Sequence, residues 1–254
     1  MDLSDSGRGY RYLPAAQQYS AGVRAESHHQ LRRVQLDTPL PLDAGLDLAR
    51  RQLAAHGVPP TGLCAVELRS PAAMTEAQFA SLNREYRDQV DRLGALIGSA
   101  NPVARTNVCP LEGAPSVPGV HAFTFVVPRE GDVLPTFVIS GSAEAPEGTD
   151  SYAEHAVAPG DTTGPGLAAK ADWVLGEMER RLGAAGLRWS DCSEVNVYTR
   201  HRDRRTAASV AERVGPGPRV RWHSATPPVQ GLDFEMDCRT VVTGQDAAAQ
   251  GLAP

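Results

Sequence analysis

Cysteine, long hydrophobic runs and blocks of positive charge are all scarce in this chain of 254 residues. Its four cysteines, Cys64, Cys109, Cys192 and Cys238, lie far apart and never form a Cys-x-x-Cys pair. Neither a metal site nor a disulfide framework is indicated, and each cysteine sits in an apolar or strand-like stretch, as expected of a small buried side chain. No apolar run reaches membrane-spanning length, and the N-terminus lacks the apolar core of a signal peptide. These absences predict a cytoplasmic protein with no metal and no membrane partner.

The balance of charge argues against nucleic acid as a partner. The chain has 25 lysines and arginines against 30 aspartates and glutamates, and its net charge is −5. Binding of a phosphate backbone needs a concentrated positive face, which no basic block here would form. The fractions of hydrophobic residues (41%) and charged residues (22%) are those of a globular protein. The length fits one large domain or two ordinary ones.

Hydrophobic periodicity predicts helices and strands in both halves of the chain. The predicted helices are Asp43–His56, Thr75–Leu96 with Thr75 as N-cap, Leu167–Ala184 and Arg200–Arg213. The predicted strands span residues 19–23, 31–36, 63–68, 101–109, 120–127, 136–140, 194–199, 219–225 and 232–242. Residues 1–9 are polar and contain glycine, so they are predicted to be frayed, and the tail 243–254, rich in Ala, Gly and Gln, is predicted to be disordered.

Two segments about half the chain apart resemble each other. Leu53–Ser70 and Leu182–Thr199 both consist of a helix end, a glycine stop, a short loop and a strand. The alternative is that two helix–loop–strand segments resemble each other by chance, but the order of the flanking helices and strands also agrees between the two halves. The pattern predicts an α+β fold of two tandem units, residues 1–130 and 131–254, each a mixed β-sheet with two helices on one face. Pro128–Leu134 is the predicted linker.

One arginine stands out in the segment Asn101–Cys109, which has the sequence NPVARTNVC. Pro102 biases the residue before it towards an extended conformation. Alternation along the strand that follows places Val103, Arg105 and Asn107 on one face. A guanidinium held on a rigid strand suits a carboxylate ligand, since its donors form a planar fork. The alternative is an arginine that pairs with a nearby acid or is simply solvated.

Several segments together resemble the Rid family (RidA/YjgF), the enamine and imine deaminases. In the first half they are AAHG with the strand after it, FASLNREY and NPVARTNV. In the second half they are FVISGSAE, the stretch from KADWVL to NVY, and LDFEMDCRTVV. The first half has His121 near the position where the family has an acid, and the second half has RVRWHSA in place of the arginine motif. The resemblance therefore implies that a complete site forms where unlike halves meet.

What the resemblance implies is a cofactor-independent hydrolase or deaminase that acts on a small carboxylated enamine or imine, or on a related unsaturated acid. Arg105 would anchor the carboxylate. Glu235, which lies between Phe234 and Met236, would activate water and protonate the departing nitrogen, because an apolar pocket raises the pKa of a carboxyl group towards neutrality. A further catalytic candidate is His223, as acid or base. The remaining substrate-binding candidates are Arg221, Asn107, Ser140, Gly141, Tyr198 and Trp222.

Each of these candidates also has a plain structural interpretation. Asp233 and Asp237 share the predicted face of Glu235 and would raise its pKa, but three acids could equally form a solvated outer face. Ser140 and Gly141 could offer a hydroxyl and backbone N–H groups to the substrate, or they could be an ordinary strand end. His223 and Tyr198 could be packing residues.

Two other functions remain open at this stage. Chorismatases also resemble two such units and have a strand similar to FVISGSAE, so an enol-ether hydrolase or lyase that releases pyruvate from chorismate is the first alternative. A non-catalytic protein that binds small acids is the second. In every case the expected partner is a small carboxylate, and the expected assembly is a homo-oligomer, a trimer or a dimer, with clefts at its interfaces.

Overall fold

The computed structural model describes residues 2–131, 134–149 and 151–243. Its helices are α1 (Leu42–Ala55), α2 (Glu76–Leu93), α3 (Tyr152–His155), α4 (Gly164–Ala184) and α5 (Arg204–Val214). Its strands in the first half are β1 (Ser4–Asp5), β2 (Tyr10–Leu13), β3 (Gly22–Ala25), β4 (His29–Pro41), β5 (Leu63–Arg69), β6 (Ala104–Pro110) and β7 (Gly119–Pro128). Its strands in the second half are β8 (Phe137–Ala143), β9 (Glu194–Thr199), β10 (Arg219–His223), β11 (Ala225–Thr226), β12 (Phe234–Thr240) and β13 (Val242–Thr243).

These strands form two mixed sheets. The amino-terminal sheet has the order β11-β6-β5-β7-β4-β13, and the carboxyl-terminal sheet has the order β1-β2-β3-β8-β12-β9-β10. The pairs β5–β6 and β9–β10 are parallel, and their neighbours β5–β7 and β12–β9 are antiparallel. Helices α1 and α2 share an apolar core with the amino-terminal sheet, and α4 and α5 share one with the carboxyl-terminal sheet. The predicted α+β class, with paired helices packed on mixed sheets, is confirmed.

The strand pairing crosses the predicted boundary at residue 130 in both directions. Strands β1–β3 from the start of the chain extend the carboxyl-terminal sheet, and β11 and β13 from the second half extend the amino-terminal sheet. The two units are therefore interlocked. The division into residues 1–130 and 131–254 remains a prediction.

Helix α2 shows why the local sequence determines an element's ends. The Thr75 hydroxyl accepts a hydrogen bond from the backbone N–H of Gln78, whose side chain in turn accepts one from the backbone of Thr75. This capping box starts the helix at the predicted N-cap. Gly94 ends it in a left-handed conformation (φ 80°), earlier than the predicted end at Leu96. The buried stripe consists of Phe79, Leu82, Asn83, Tyr86 and Val90.

Side chains from the two sheets meet in a shared layer with an apolar and a polar part. The apolar part includes Tyr10, Tyr12, Val23, Leu31, Cys64, Ala104, Val126 and Val138. In the polar part, Glu67 accepts two hydrogen bonds from Arg33, at 2.6 and 2.9 Å, and also pairs with Arg239. Burial alone would raise the pKa of Glu67, but the charges of Arg239 and Arg33 hold it well below its usual range. The halves are thus joined by burial and by buried ion pairs.

The chain ends differ from the prediction where the structure describes them. Residues 1–9 are not frayed throughout, because Ser4–Asp5 pairs with β2 and the hydroxyl of Ser6 donates to the carbonyl of Tyr10. Of the tail 243–254, only Thr243 is described, and residues 244–254 lie outside the described residues. The same holds for residues 132 and 133 of the predicted linker. Within the described ranges, no helix has the length and apolarity to cross a membrane.

Candidate active site

A cleft opens where β6 of the amino-terminal sheet passes β8 of the carboxyl-terminal sheet. Its empty space, including the solvent-open mouth, is about 430 Å³. The first half of the chain contributes Arg105 and Asn107 to its walls, and the second half contributes Gly141 and Glu235. The structure therefore brings the two central candidates together in a crevice between unlike halves.

Arg105 is held in this cleft by aromatic rings. Its guanidinium carbon lies 4.4 Å from the ring centre of Tyr19, 5.1 Å from that of Tyr86 and 5.7 Å from that of Phe79. Such contacts stabilise a cation without neutralising it. The residue is 4% exposed, and its Nη1 is buried with no hydrogen-bond partner in the described parts of the chain. A buried donor without an acceptor is costly, so the site favours an anionic oxygen from a ligand.

Alternation along β6 gives Arg105 its direction. Val103 packs in the core beneath α1 and α2, where Tyr86 also lies, whereas Ala104 faces the layer between the sheets. The backbone N–H of Arg105 donates to the Ser140 hydroxyl at 3.0 Å. The predicted faces of this strand are confirmed, and the alternative of a locally paired or solvated arginine is not what the described residues show.

Asn107 is the next residue on the same face. Its Oδ1 accepts a hydrogen bond from the Ser70 hydroxyl at 3.0 Å, which orients the amide. Its Nδ2 is buried and has no hydrogen-bond partner among the described residues. The face of β6 that lines the cleft thus presents two donors, one from Arg105 and one from Asn107, to whatever occupies the cleft.

Glu235 supplies the acid. The side chain is buried, and burial raises the pKa of its carboxyl well above the ordinary value. The negative charges of Asp237 and Glu147 raise this pKa further, against the opposing effect of Arg105 and Arg69. A carboxyl group that keeps its proton near neutral pH can donate it to a substrate. The environment is the one that the sequence predicted for this residue.

Gly141 leaves the space in which this carboxyl lies. A Cβ atom at this position would sit 2.2 Å from Oε1 of Glu235 and 3.0 Å from Cγ2 of Thr106. The backbone N–H of Gly141 already donates to the Thr106 hydroxyl at 3.1 Å. The predicted use of this N–H as a donor to substrate is therefore corrected: the glycine lines the cleft, and its contribution is room for Glu235.

Substitution of Gly141 by alanine should displace the Glu235 carboxyl and lower kcat/KM. Misplacement of a reacting group by about 1 Å can cost roughly 100-fold, so a fall of about 10- to 100-fold is expected. The control is Gly183→Ala on α4, where a Cβ would have nothing within 4 Å. Steady-state kinetics and thermal unfolding check both variants. Unchanged kcat/KM with a lowered Tm in Gly141→Ala would mean that the glycine serves packing alone.

Ser140 lies beside the cleft but its hydroxyl is already engaged. It accepts a hydrogen bond from the backbone of Arg105 and donates to the carbonyl of Ser20 at 2.6 Å. The predicted contact of this hydroxyl with substrate is corrected to a structural contact that ties β6 to β8 and to the start of β3.

The candidates on β9 and β10 lie elsewhere. Nε2 of His223 is 2.8 Å from Oδ1 of Asn196, and its ring stacks on that of Tyr198 at 4.9 Å. The Tyr198 hydroxyl donates to Asp237 at 3.0 Å, and Arg221 pairs with Glu194 at 2.8 Å. Burial, with Arg69 and Arg239 nearby, lowers the pKa of His223, although Asp237 opposes this.

Sheet order explains this separation. In the carboxyl-terminal sheet, β10 lies beyond β12 and β9, whereas β8 at the cleft is the neighbour of β12 on the other side. Trp222 packs edge-on against Phe234, with ring centres 6.3 Å apart. The predicted roles of His223, Arg221, Tyr198 and Trp222 in catalysis or substrate binding are therefore corrected, because none of the four lines the cleft. His223, Arg221 and Tyr198 make polar contacts in the layer between the sheets and at its rim, and Trp222 packs against the core that the carboxyl-terminal sheet shares with α4 and α5.

The sequence did not indicate the aromatic residues around Arg105 or the acid Glu147. Tyr86 and Phe79 carried only the signal of a buried helix stripe, although FASLNREY also has the Asn-x-x-Tyr spacing of the Rid family. Tyr19 comes from a weakly patterned strand. Glu147 lies in a stretch that has no periodicity at all, so no local signal could identify it.

Known proteins match this chain both in sequence and in structure. A family model described as 2-aminomuconate deaminase CnbZ matches residues 3–245. A 2-amino-5-chloromuconate deaminase of Comamonas testosteroni is 38% identical over 243 residues, which cover 92% of this chain and 94% of that protein. A solved chorismatase structure aligns with 95% of this chain over 89% of the chorismatase chain, with a TM-score of 0.53 and 14% identity. The YjgF gene product of E. coli covers 42% of this chain and 80% of its own, with 20% identity and a TM-score of 0.31.

The family model, the deaminase relative and the chorismatase structure agree with the predicted resemblances to deaminases and to chorismatases. The chorismatase likeness shows a shared fold, and the family model and the deaminase relative show an enzyme of the deaminase type. Both cover almost the whole chain, including the strands that carry Arg105 and Glu235. This chain therefore belongs to the 2-aminomuconate deaminase family.

Proposed function

We propose that this enzyme removes the amino group of 2-aminomuconate, or of a chlorinated relative, by hydrolysis. The observation that carries the proposal is that one cleft holds both a guanidinium, Arg105, whose Nη1 has no hydrogen-bond partner among the described residues, and a carboxyl of raised pKa, Glu235. The family description and the name of the relative from Comamonas testosteroni supply the substrate class. Such a substrate is a planar, conjugated dicarboxylate whose amino group is next to a carboxylate.

Arg105 is the anchor for the carboxylate beside the amino group. A charge-assisted hydrogen bond from Nη1 would satisfy the orphaned donor, and the aromatic rings around the guanidinium exclude water from the contact. Asn107 offers its free Nδ2–H to a second substrate oxygen. Both donors lie on one rigid strand, so the substrate is held with little loss of side-chain entropy.

Glu235 performs the proton transfers. Its neutral carboxyl gives a proton to a carbon of the enamine, which becomes an iminium ion, and the resulting carboxylate takes a proton from water as that water adds to the C=N carbon. The same carboxyl then protonates nitrogen, the C–N bond breaks, and ammonia leaves with the bonding electrons. The remaining oxygen loses its proton to Glu235, so a 2-oxo acid is formed and the acid is regenerated. Side chains and one water suffice for these steps.

The direct test is product analysis with the purified protein. Incubation with 2-aminomuconate should release ammonia and a 2-oxo acid in equal amounts, and incubation with chorismate should release no pyruvate. Pyruvate from chorismate without ammonia from 2-aminomuconate would instead favour the enol-ether hydrolase that the chorismatase-like fold permits. Binding of muconate without turnover of either compound would favour a non-catalytic binder. The predicted dimer or trimer is a separate proposal, which light scattering can test.

A further inference from the structure

A second acidic side chain, Glu147, lines the cleft that contains Glu235. Its carboxylate accepts a hydrogen bond from Nη2 of Arg181 at 2.8 Å. Arg181 is 1% exposed and is itself held by Glu177 at 2.7 Å and by the carbonyl of Ser140 at 3.3 Å. The arginine therefore fixes Glu147 relative to strand β8, although Glu147 lies on a loop without regular secondary structure.

The charge of Glu147 acts on the interior of the cleft. After burial and the charge of Asp237, it is the next cause of the raised pKa of Glu235. After burial, it is also the largest cause of the raised pKa of Tyr19 and of Tyr152, which line the same cleft. The walls of the cleft thus carry three different groups: the guanidinium of Arg105, the carboxyl of Glu235 with its raised pKa, and the carboxyl of Glu147 paired with Arg181.

An anion at this position would repel a dicarboxylate ligand unless the ligand also carried a group that the anion can bind. The amino group of an enamine is such a group, because its N–H bonds are donors and its nitrogen gains positive charge when carbon is protonated. An enol ether has neither an N–H nor an O–H at that position and would present lone pairs to the carboxylate instead. The arrangement therefore discriminates by the chemistry of the substituent rather than by its size.

We propose that Glu147 is a further catalytic, specificity-determining residue, which accepts hydrogen bonds from the substrate amino group and stabilises the iminium ion. This inference rests on the proposed deaminase function. It divides the work between two carboxyl groups: Glu235 gives and takes protons, and Glu147, paired with Arg181, binds nitrogen. Arg181 is the positioning residue that holds the carboxylate in place.

The test compares two ligands and two matched variants. Glu147→Gln removes the negative charge and keeps the shape of the side chain. Glu177→Gln makes the same change at the other carboxylate that pairs with Arg181, and Glu177 does not line the cleft. For Glu147→Gln, kcat/KM and affinity for 2-aminomuconate should fall roughly 10- to 100-fold, as for loss of a hydrogen bond to a charged group. The inhibition constant of muconate, which has no amino group, should stay the same or decrease because a repulsive charge is gone.

The ratio of KM for 2-aminomuconate to the inhibition constant of muconate decides the question. Neither constant depends on the fraction of folded enzyme, so a partly unfolded variant still gives a valid ratio. A raised ratio in Glu147→Gln with an unchanged ratio in Glu177→Gln supports the proposal. Equal changes for both ligands, or the same effect in both variants, would show that Glu147 only supports the fold through Arg181.

A second variant covers the case in which Glu147→Gln does not accumulate. Glu147→Asp keeps the charge and withdraws the carboxylate by one methylene, so the same ratio should rise, and a ratio equal to that of the wild type overturns the proposal. Failure of the inference is distinct from failure of the proposed function. If the wild-type protein releases no ammonia from 2-aminomuconate, the function itself is wrong. If it does, and the ratio stays constant in the variants, only the role of Glu147 is wrong.

Discussion

Substitution of Glu235 by glutamine is expected to lower kcat by roughly 10²- to 10⁴-fold, the usual contribution of a positioned general acid and base. Glutamine has nearly the same shape as the protonated glutamic acid, but it cannot transfer the proton. KM should change little because Arg105, not Glu235, anchors the substrate. Steady-state kinetics on 2-aminomuconate measure both constants.

The same variant should be more stable than the wild type at neutral pH. The folded protein holds the Glu235 proton to a pH well above the ordinary glutamate pKa, so between these two pKa values the folded state binds more protons than the unfolded chain. Stability of the wild type therefore falls as pH rises through this window, and glutamine removes the dependence. Urea unfolding should show equal stabilities near pH 4, where both states of Glu235 are largely protonated, and an advantage for Glu235→Gln near pH 8.

Asp237 provides the control on the same strand. It does not line the cleft, and its carboxylate accepts hydrogen bonds from Asn196 at 2.8 Å and Tyr198 at 3.0 Å. Asp237→Asn should lower stability because it disturbs these buried contacts. It should keep most of kcat at acidic pH, but its kcat should decline at a lower pH than that of the wild type, because a negative charge that raises the pKa of Glu235 is gone. The wild-type kcat should decline as pH rises through the raised pKa of Glu235. A glutamine variant with wild-type kcat would remove Glu235 from the mechanism.

Substitution of Arg105 by methionine is expected to raise KM roughly 100-fold or more, because the substrate carboxylate would be buried without its charged partner. Methionine approximates the length of the side chain and keeps contact with the surrounding rings, so the cleft should keep its shape. The free energy of unfolding should stay within about 1 kcal/mol of the wild-type value or increase, since the guanidinium is buried with an unsatisfied donor. Kinetics and denaturant unfolding test the two effects separately.

Arg33 is the matched control, because its substitution is expected to lower the stability of the protein and to leave KM unchanged. It is as buried as Arg105, but it forms two hydrogen bonds to Glu67 and does not line the cleft. Arg33→Met should lower the free energy of unfolding by about 3 kcal/mol or less, because Arg239 still pairs with Glu67. Its KM should stay close to that of the wild type. Lost stability with an unchanged KM in Arg105→Met would show that Arg105 is a structural residue.

The sequence could predict the groups whose local pattern carries a physical constraint. Arg105 stands on a strand whose alternation and preceding proline set its direction, and the structure places it on the predicted face. Glu235 lies between apolar neighbours on a strand, so burial and a raised pKa were foreseeable. The start of helix α2 at Thr75 was also readable, because an N-cap depends on a few adjacent residues, whereas its end at Gly94 was predicted too late, at Leu96.

Other parts of the candidate site depended on which strands became neighbours. His223 and Arg221 lie in the segment RVRWHSA, which stands in place of the arginine motif in the second half, yet β10 lies at the far edge of its sheet. Strands β1–β3 joined the sheet of the other half, and this brought Tyr19 beside Arg105. Glu147 reached the cleft on an aperiodic loop held by Arg181.

By itself, then, the amino-acid order determined most of the elements, the likeness between the two halves and the side chains that we propose as anchor and acid, Arg105 and Glu235, since periodicity, caps and side-chain chemistry act over short distances. Tertiary structure alone decided which face each element meets, which histidine and arginines stay away from the cleft, and which aromatic rings and second carboxylate complete it. The reason is physical: strand order and loop path follow from burial summed over the whole chain, and no short stretch of sequence encodes that sum.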